Sequence, residues 1–125
     1  MSVAPTLFER IVRGEIPSSK VYEDDQCLAF RDISPCAKKH VLVVPKVLGR
    51  LTQLQHATED DKPLLGHLMW AAGHVARLEG LNAGYRVVVN DGALGCQSVY
   101  HLHLHVIGGE QLTWPPGTAS GPSSG

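Results

Sequence analysis

The chain has 125 residues, 43% of them hydrophobic, and its 11 basic and 12 acidic residues leave a formal net charge of −1. A chain of this length supports one hydrophobic core and is short for two, so we expect a single domain. The balanced charge lacks the basic excess of proteins that bind the nucleic-acid backbone, so we expect no nucleic acid polymer as a partner.

The N-terminal segment predicts a short helix. Thr6 and Glu9 have the spacing of a capping box, in which each side chain bonds the backbone N–H of the other residue. Apolar residues follow at helical spacing up to Gly14, a residue type that is common just past a helix end. We therefore expect one short helix that ends near Gly14.

Three strands are predicted next. Residues 21–22 and 27–30 are short apolar runs joined by an acidic turn, which indicates a β-hairpin. Residues 40–44 are almost all β-branched or aliphatic before Pro45 stops the run, which predicts a central strand.

A long helix is predicted between residues 58 and 81, where apolar residues recur at intervals of three and four. Pro63 can occupy the first turn without the loss of a hydrogen bond, so the helix should begin at Asp60 or Asp61. His67 and His74 lie on this helix, and we expect both at the surface without a functional role.

Two more strands are predicted at residues 85–89 and 99–107, joined by a glycine-containing loop at 90–98. A connection without a helix favours antiparallel pairing. The expected fold class is therefore α+β, with the short and the long helix on one face of an antiparallel sheet. This domain should span residues 1–117. Residues 118–125 have the composition of a flexible tail, and their end, SGPSSG, resembles an expression scar.

The most informative run is YHLHLHV at residues 100–106. If it forms a strand, His101, His103 and His105 point to one face and the apolar residues between them point to the other. Each imidazole has two ring nitrogens that need water, a metal or a substrate, and packing does not explain three such rings in register. We therefore interpret this face as a functional site.

The loop before these histidines favours an anion as the bound group. Gly92 and Gly95 allow backbone N–H groups to form a concave anion site, and Ser98 adds a hydroxyl donor. A histidine beside a phosphate is a good nucleophile at neutral pH, because its ordinary pKa of about 6.5 leaves it largely unprotonated. This combination predicts phosphoryl or nucleotidyl transfer.

A zinc-binding module is the chief alternative. Two histidines of an HxH pair can bind one zinc ion, with His40 or a cysteine as a further ligand. No acidic residue stands close to the histidines in sequence to support such ligands. We therefore favour a reaction without metal and expect no cofactor.

The cysteines and the hydropathy indicate the compartment. Cys27, Cys36 and Cys96 are odd in number and form no CxxC pair, which indicates neither a disulfide framework nor a zinc ribbon. No run of about 18 apolar residues is present to cross a membrane, and residues 1–10 do not resemble a secretion signal. We expect a soluble protein without a membrane partner, in the cytoplasm or also in the nucleus.

Together with ISP at residues 33–35, NAGYRVVVNDG at 82–92 and WPPG at 114–117, the histidine run makes the chain similar to the histidine-triad (HIT) superfamily. Within it, the chain resembles the branch of histidine-triad nucleotide-binding proteins, from about Leu7 to Gly117. The resemblance implies a HIT-like α+β fold whose sheet extends across a two-fold symmetric homodimer. It also implies hydrolysis of purine nucleoside phosphoramidates, such as adenosine 5′-monophosphoramidate, through a nucleotidyl-histidine intermediate and without a metal.

The resemblance also implies roles for individual residues. Four histidines form the implied catalytic set, with the middle one of the triad as the nucleophile: His103, His101, His105 and His40. Asp32 matches the carboxylate that holds the ribose hydroxyls, and two further residues match the polar groups around the phosphate and the leaving group: Asn90 and Ser98. Five apolar residues match the wall of the base pocket, although each also suits a core: Phe8, Ile11, Phe30, Ile33 and Leu42.

Cys96 departs from the family pattern, which usually has glycine in the loop whose backbone approaches the phosphate. A side chain there restricts φ, and a thiol near an anion site is open to oxidation. We expect Cys96 to be tolerated with its side chain pointing away; the alternative is a lower phosphate affinity.

Trp114 is followed by two prolines, and we expect this stiff aromatic segment to close the site of the neighbouring subunit. Proteins of this branch are also associated with regulatory contacts to other proteins. A non-enzymatic nucleotide-binding scaffold is therefore the alternative function.

Overall fold

The computed structural model describes residues 5–47, 49 and 51–117, and the predicted tail at 118–125 lies outside them. The helices and strands follow in chain order: α1 (Leu7–Val12), β1 (Lys20–Glu23), β2 (Cys27–Arg31), β3 (Lys39–Pro45), α2 (Lys62–Leu78), β4 (Tyr85–Val88) and β5 (Leu104–Gly108). The five strands form one antiparallel sheet in the order β1-β2-β3-β5-β4. The predicted α+β class, hairpin and central strand are confirmed.

Both helices begin where the capping signals predict. The Oγ1 atom of Thr6 accepts a hydrogen bond from the backbone N–H of Glu9 at 3.1 Å, and the Glu9 carboxylate accepts one from the backbone N–H of Thr6 at 3.0 Å. Asp61 is the N-cap of α2, and Pro63 lies in the first turn, where no intrahelical hydrogen bond is lost.

The two helices cover opposite faces of the sheet. One face packs with α2 through Cys27, Ala29, Val41, Val43, Leu104 and Val106. The other packs with Phe8 and Ile11 of α1 through Leu28, Phe30, Leu42 and Val44. The prediction that both helices lie on one face is wrong, because β2 and β3 are apolar at almost every position and therefore need a cover on both sides.

The histidine strand is shorter than predicted. Only His105 lies in β5, and His101 and His103 precede it without a sheet register. The physical reason is that the rings of both histidines bond backbone carbonyls, which competes with ladder hydrogen bonds. The alternation of faces still holds, since Leu102, Leu104 and Val106 are buried in the α2 core.

In residues 5–47, 49 and 51–117, no helix has both the length and the apolar character needed to cross a membrane.

Candidate active site

His103 is held by a backbone group two residues before it. Its Nδ1 atom lies 2.7 Å from the carbonyl oxygen of His101. Because a carbonyl only accepts, Nδ1 carries the proton and the lone pair of the neutral ring is on Nε2. Burial lowers the pKa of His103, an effect that this hydrogen bond partly offsets. At pH 7 the ring is therefore neutral, the state that a nucleophile needs.

His40 and His105 form a direct pair. The Nε2 atom of His40 lies 2.8 Å from the Nδ1 atom of His105, since Leu42 of β3 is opposite His105 in β5 and His40 is the next residue on the same face. The backbone N–H of Cys36 donates to Nδ1 of His40 at 3.2 Å, which leaves the proton of neutral His40 on Nε2. His40 therefore donates to His105, whose own proton is on Nε2.

Burial lowers the pKa of both rings of this pair. For His105 the pKa falls to about 4, through burial first and then through the positive charges of His103 and His40. The pKa of His40 is lowered by burial and partly restored by Asp32. The resting pair is therefore neutral, and a bound anion would favour its protonation.

Asp32 reaches the pair from the end of β2. Its Oδ2 atom lies 3.5 Å from Nε2 of His40, and its Oδ1 atom accepts the backbone N–H of Ser34 at 2.8 Å. Asp32 is far from His105 in the sequence, so the sequence did not indicate this acidic neighbour. The antiparallel pairing of β2 with β3 places Asp32 beside His40.

His101 is fully buried and bonded at both ring nitrogens. Its Nε2 atom lies 3.0 Å from the carbonyl oxygen of Pro45, and its Nδ1 atom lies 3.2 Å from the hydroxyl of Thr6. Burial lowers its pKa, so the ring is neutral with the proton on Nε2. No ring nitrogen of His101 is left for a substrate, whereas Nε2 of His103 has no protein partner among the described hydrogen bonds.

Aromatic and aliphatic side chains close this face of the sheet. The ring of Phe8 stands edge-on to His103 at 4.9 Å between centroids and to Phe30 at 5.5 Å. Phe8, Ile11, Phe30 and Leu42 are buried together, so the structure brings these four residues to the histidines as part of a packed core. Ile33 is 94% exposed and Trp114 is 84% exposed, so neither is packed in the single chain.

Amide side chains hold the loop at residues 90–98, before the histidines, by hydrogen bonds. The Nδ2 atom of Asn90 donates to the carbonyl of Gly95 at 2.8 Å, and Ser98 is exposed. Cys96 is exposed in the left-handed region at φ 66°, the conformation that makes glycine the usual residue there. Cys96 thus keeps the positive φ that glycine usually has at this position, although it carries a side chain.

The side chain of Gln97 holds this loop by hydrogen bonds. The sequence analysis does not predict Gln97 as a site residue. Its buried amide accepts the backbone N–H of Gly92 at 2.8 Å and donates to the carbonyls of Thr52 and Val99 at 2.8 and 3.1 Å. A buried glutamine with every bond to backbone leaves no periodic signal in a sequence.

Two groups of described residues bring possible metal ligands within 4.8 Å of one another. Asp32, His40 and His105 offer the oxygen and nitrogen donors that zinc takes, but the 2.8 Å between the two rings is shorter than the roughly 3.3 Å between nitrogen ligands of tetrahedral zinc. In the second group, Asp24 already accepts hydrogen bonds from His67, Tyr22 and the backbone N–H groups of Gln26 and Cys27. These bonds account for the second group without a metal.

One groove lies away from the histidines. It has a volume of about 520 Å³ and is lined by residues 80, 81, 83–86 and 109–112. None of the predicted site residues lines it, and the only ionisable side chains in its wall are Tyr85, Arg86 and Glu110. It therefore lacks the histidines that form the candidate site.

Comparison with known proteins points to one family. The family model of the HIT domain matches residues 13–112. The chain is 55% identical over 114 residues to a maize protein named "14 kDa zinc-binding protein", with 91% of this chain and 89% of the relative covered. It is 53% identical over 116 residues to "Adenylylsulfatase HINT1" of Arabidopsis thaliana, with 93% and 79% covered.

A solved structure agrees with the fold. The crystal structure of a HIT family hydrolase from Legionella pneumophila is 46% identical in sequence, with a TM-score of 0.86. The match covers 90% of this chain and 100% of that chain.

Proposed function

This chain belongs to the HIT domain family, close to its maize and Arabidopsis relatives, and we propose that it hydrolyses purine nucleoside phosphoramidates through a nucleotidyl intermediate on His103. The observation that carries the proposal is the hydrogen bond from Nδ1 of His103 to the carbonyl of His101, which leaves a lone pair on Nε2 of a buried, neutral ring. The family resemblance supplies the substrate class, with adenosine 5′-monophosphoramidate as its simplest member.

In the first half-reaction, Nε2 of His103 forms a bond to the α-phosphorus and the bond from phosphorus to the amine breaks. The amine leaves with one added proton, which the pair of His40 and His105 supplies. The negative charge of the bound phosphate opposes the effect of burial and favours uptake of that proton from water. In the protonated pair, His40 carries its proton on Nδ1 in place of the bond from the Cys36 N–H, so Nε2 of His40 accepts from Nδ1 of His105 and His105 can donate from Nε2.

In the second half-reaction, a water molecule attacks the phosphorus and the bond to His103 breaks. His105 now has its proton on Nδ1, so its free Nε2 accepts a proton from the water. His103 leaves as the neutral ring with its proton still on Nδ1, and the mononucleotide is released. Asp32, whose carboxylate has acceptor positions beyond the Ser34 bond, is proposed to bind the ribose hydroxyls.

The test is to find the intermediate. We expect a reaction with adenosine 5′-monophosphoramidate that is quenched early to show, by intact mass, one added mononucleotide on His103. His103→Asn should abolish turnover while binding of adenosine monophosphate stays measurable by calorimetry. Hydrolysis at the native rate by His103→Asn would refute the proposed nucleophile.

A homodimer belongs to the same proposal. β4 is the edge strand next to β5, and Tyr85 and Trp114 are exposed large side chains in the single chain. Pairing of β4 with its copy would extend the sheet across the two-fold axis and place Trp114 near the partner's site. Light scattering is expected to give twice the mass of one chain, and a monomer at all concentrations would contradict this part.

Zinc binding is the second candidate, because Asp32, His40 and His105 are donors that zinc accepts and the maize relative carries zinc in its name. Binding would require the two rings to separate and would remove their hydrogen bond, so no step of the reaction above runs through a metal. Atomic spectroscopy of protein purified without added zinc tests this candidate. One zinc per chain would favour it over the hydrolase.

A nucleotide-binding scaffold without catalysis is the remaining alternative. An enzyme needs His103 and releases product repeatedly, whereas a scaffold should keep its protein partners when His103 is replaced. Pull-down with the His103→Asn variant therefore separates the two functions.

A further inference from the structure

We propose that Thr6 is a positioning residue for the reaction proposed above, because its hydroxyl fixes the ring of His101 and thereby the carbonyl that orients His103. This inference rests on the proposed function and adds a residue to it. Thr6 lies just before α1, 95 residues away from His101 in the chain.

The first step is the direction of the hydrogen bonds around His101. The carbonyl of Pro45 accepts from Nε2 at 3.0 Å, so Nε2 carries the proton of the neutral ring. Nδ1 must then accept, and the group beside it is the Thr6 hydroxyl at 3.2 Å. Thr6 therefore donates to His101, and at the same time its oxygen accepts the backbone N–H of Glu9 at 3.1 Å.

The second step is the connection to the nucleophile. A ring bonded at both nitrogens cannot rotate, so the His101 residue is held in one orientation. Its carbonyl oxygen is the acceptor for Nδ1 of His103 at 2.7 Å. Loss of the Thr6 bond frees one side of the His101 ring and loosens the group that keeps the lone pair of His103 on Nε2.

The third step is that the same hydroxyl anchors α1 over the histidines. Phe8, two residues after Thr6, packs edge-on against His103 at 4.9 Å and lies 6.0 Å from His101. The N-terminus of α1 has no other side-chain bond to the histidines among the residues that the structure describes. One hydroxyl thus connects the helix, the buried ring and the nucleophile.

Three substitutions of Thr6 separate its two bonds. Thr6→Ser keeps both bonds, and Thr6→Val has the same shape but loses both. Thr6→Asp keeps the helix cap but can only accept, so Nδ1 of His101 must gain a proton; the charges that face it are Glu9, which favours this, and His103, which opposes it when protonated. Glu9→Ala is the matched control, because it breaks the other half of the capping box and leaves the Thr6 hydroxyl in place.

The readouts are the ¹⁵N spectra of the histidine rings and kcat/KM, for variants shown to be folded. We expect Thr6→Val to keep the Nε2–H of His101, which Pro45 still accepts, but to lose the hydrogen-bonded ¹⁵N shift of Nδ1 of His101 and the protected Nδ1–H of His103, and to lower kcat/KM by about tenfold. Thr6→Ser and Glu9→Ala should keep both signals and stay within about twofold of the native kcat/KM. Thr6→Asp should show a doubly protonated His101 ring that is still bonded at both nitrogens, so it should keep the protected Nδ1–H of His103 and lose less kcat/KM than Thr6→Val.

The inference is overturned if folded Thr6→Val keeps both ring signals, or if its kcat/KM equals that of Glu9→Ala. A native protein that does not hydrolyse the phosphoramidate refutes the proposed function instead, and the ring signals then still decide whether Thr6 fixes His101 and His103.

Discussion

His40 and His105 share a hydrogen bond of 2.8 Å from Nε2 to Nδ1, and no other pair of histidine side chains in the described part of the chain is joined in this way. The backbone N–H of Cys36 sets the direction of this bond by occupying the other nitrogen of His40. The pair therefore presents Nε2 of His105, the atom that exchanges a proton in both proposed half-reactions.

The role of His105 can be tested with two leaving groups. An amine leaves only with an added proton, whereas sulfate leaves without one, and the Arabidopsis relative is named an adenylylsulfatase. We expect His105→Asn to lower kcat/KM for adenosine 5′-monophosphoramidate by about 10²- to 10⁴-fold, the usual contribution of general acid catalysis. The kcat/KM for adenylyl sulfate should fall much less, because this parameter reports the first half-reaction and not the later step in which His105 acts as base for both substrates. Equal losses for both substrates would contradict the proposed proton donor.

The buried histidines predict that the fold loses stability in mild acid. Burial lowers the pKa of His40, His101 and His103, and that of His105 falls to about 4, while the unfolded chain keeps values near 6.5. As the pH falls below 6.5 the unfolded chain binds protons that the folded chain does not, so the free energy of unfolding decreases towards pH 4. Well above pH 6.5 these histidines are neutral in both states, so they add no pH dependence to the free energy of unfolding.

Urea unfolding at about pH 7.5, 6 and 5 measures this effect as a falling midpoint. His105→Asn should flatten the decrease, whereas His56→Gln, a change of an exposed histidine, should leave its slope as in the native protein. A stability that does not change over this range would refute the assigned burial of the histidines.

Replacement of Cys96 by glycine should stabilise the fold. Cys96 holds φ at 66°, a region that costs a residue with a side chain about 1–2 kcal/mol, and the greater freedom of glycine in the unfolded chain cancels part of that gain. We expect Cys96→Gly to raise the free energy of unfolding by about 0.5–1 kcal/mol, and Cys96→Ala, which keeps the strain, to change it little. A lower KM for Cys96→Gly would also support the alternative that this side chain hinders the phosphate.

Gln97 should matter for both stability and substrate binding. Gln97→Met keeps the shape of the side chain but leaves the N–H of Gly92 and the carbonyls of Thr52 and Val99 without their partner. We expect a loss of about 2–3 kcal/mol in urea unfolding and a raised KM. Gln26→Met, at an exposed glutamine, is the matched control and should be neutral in both measurements.

Much of this architecture follows from local patterns in the sequence. The capping box at Thr6 and Glu9, the proline in the first turn of α2 and the apolar run of β3 each depend on near neighbours, and each is found where it was predicted. The antiparallel pairing of β4 with β5 follows from a connection for which the sequence predicts no helix.

Other features depend on contacts between distant segments and leave no such pattern. The approach of Asp32 to His40, the support of the loop by Gln97 and the bond from Thr6 to His101 exist only once the sheet has formed. The histidine run shows the limit most clearly. Its alternating faces were predicted, but side-chain bonds to carbonyls keep His101 and His103 out of the ladder.

The division of β3 between two cores has an evolutionary consequence. Val41 and Val43 pack with the long helix, whereas His40, Leu42 and Val44 lie on the side of α1 and the histidines. Substitutions of Leu42 and Val44 can therefore change the face that carries the histidines, while Val41 and Val43 keep the packing with the long helix. The two faces of this seven-residue strand can then evolve separately.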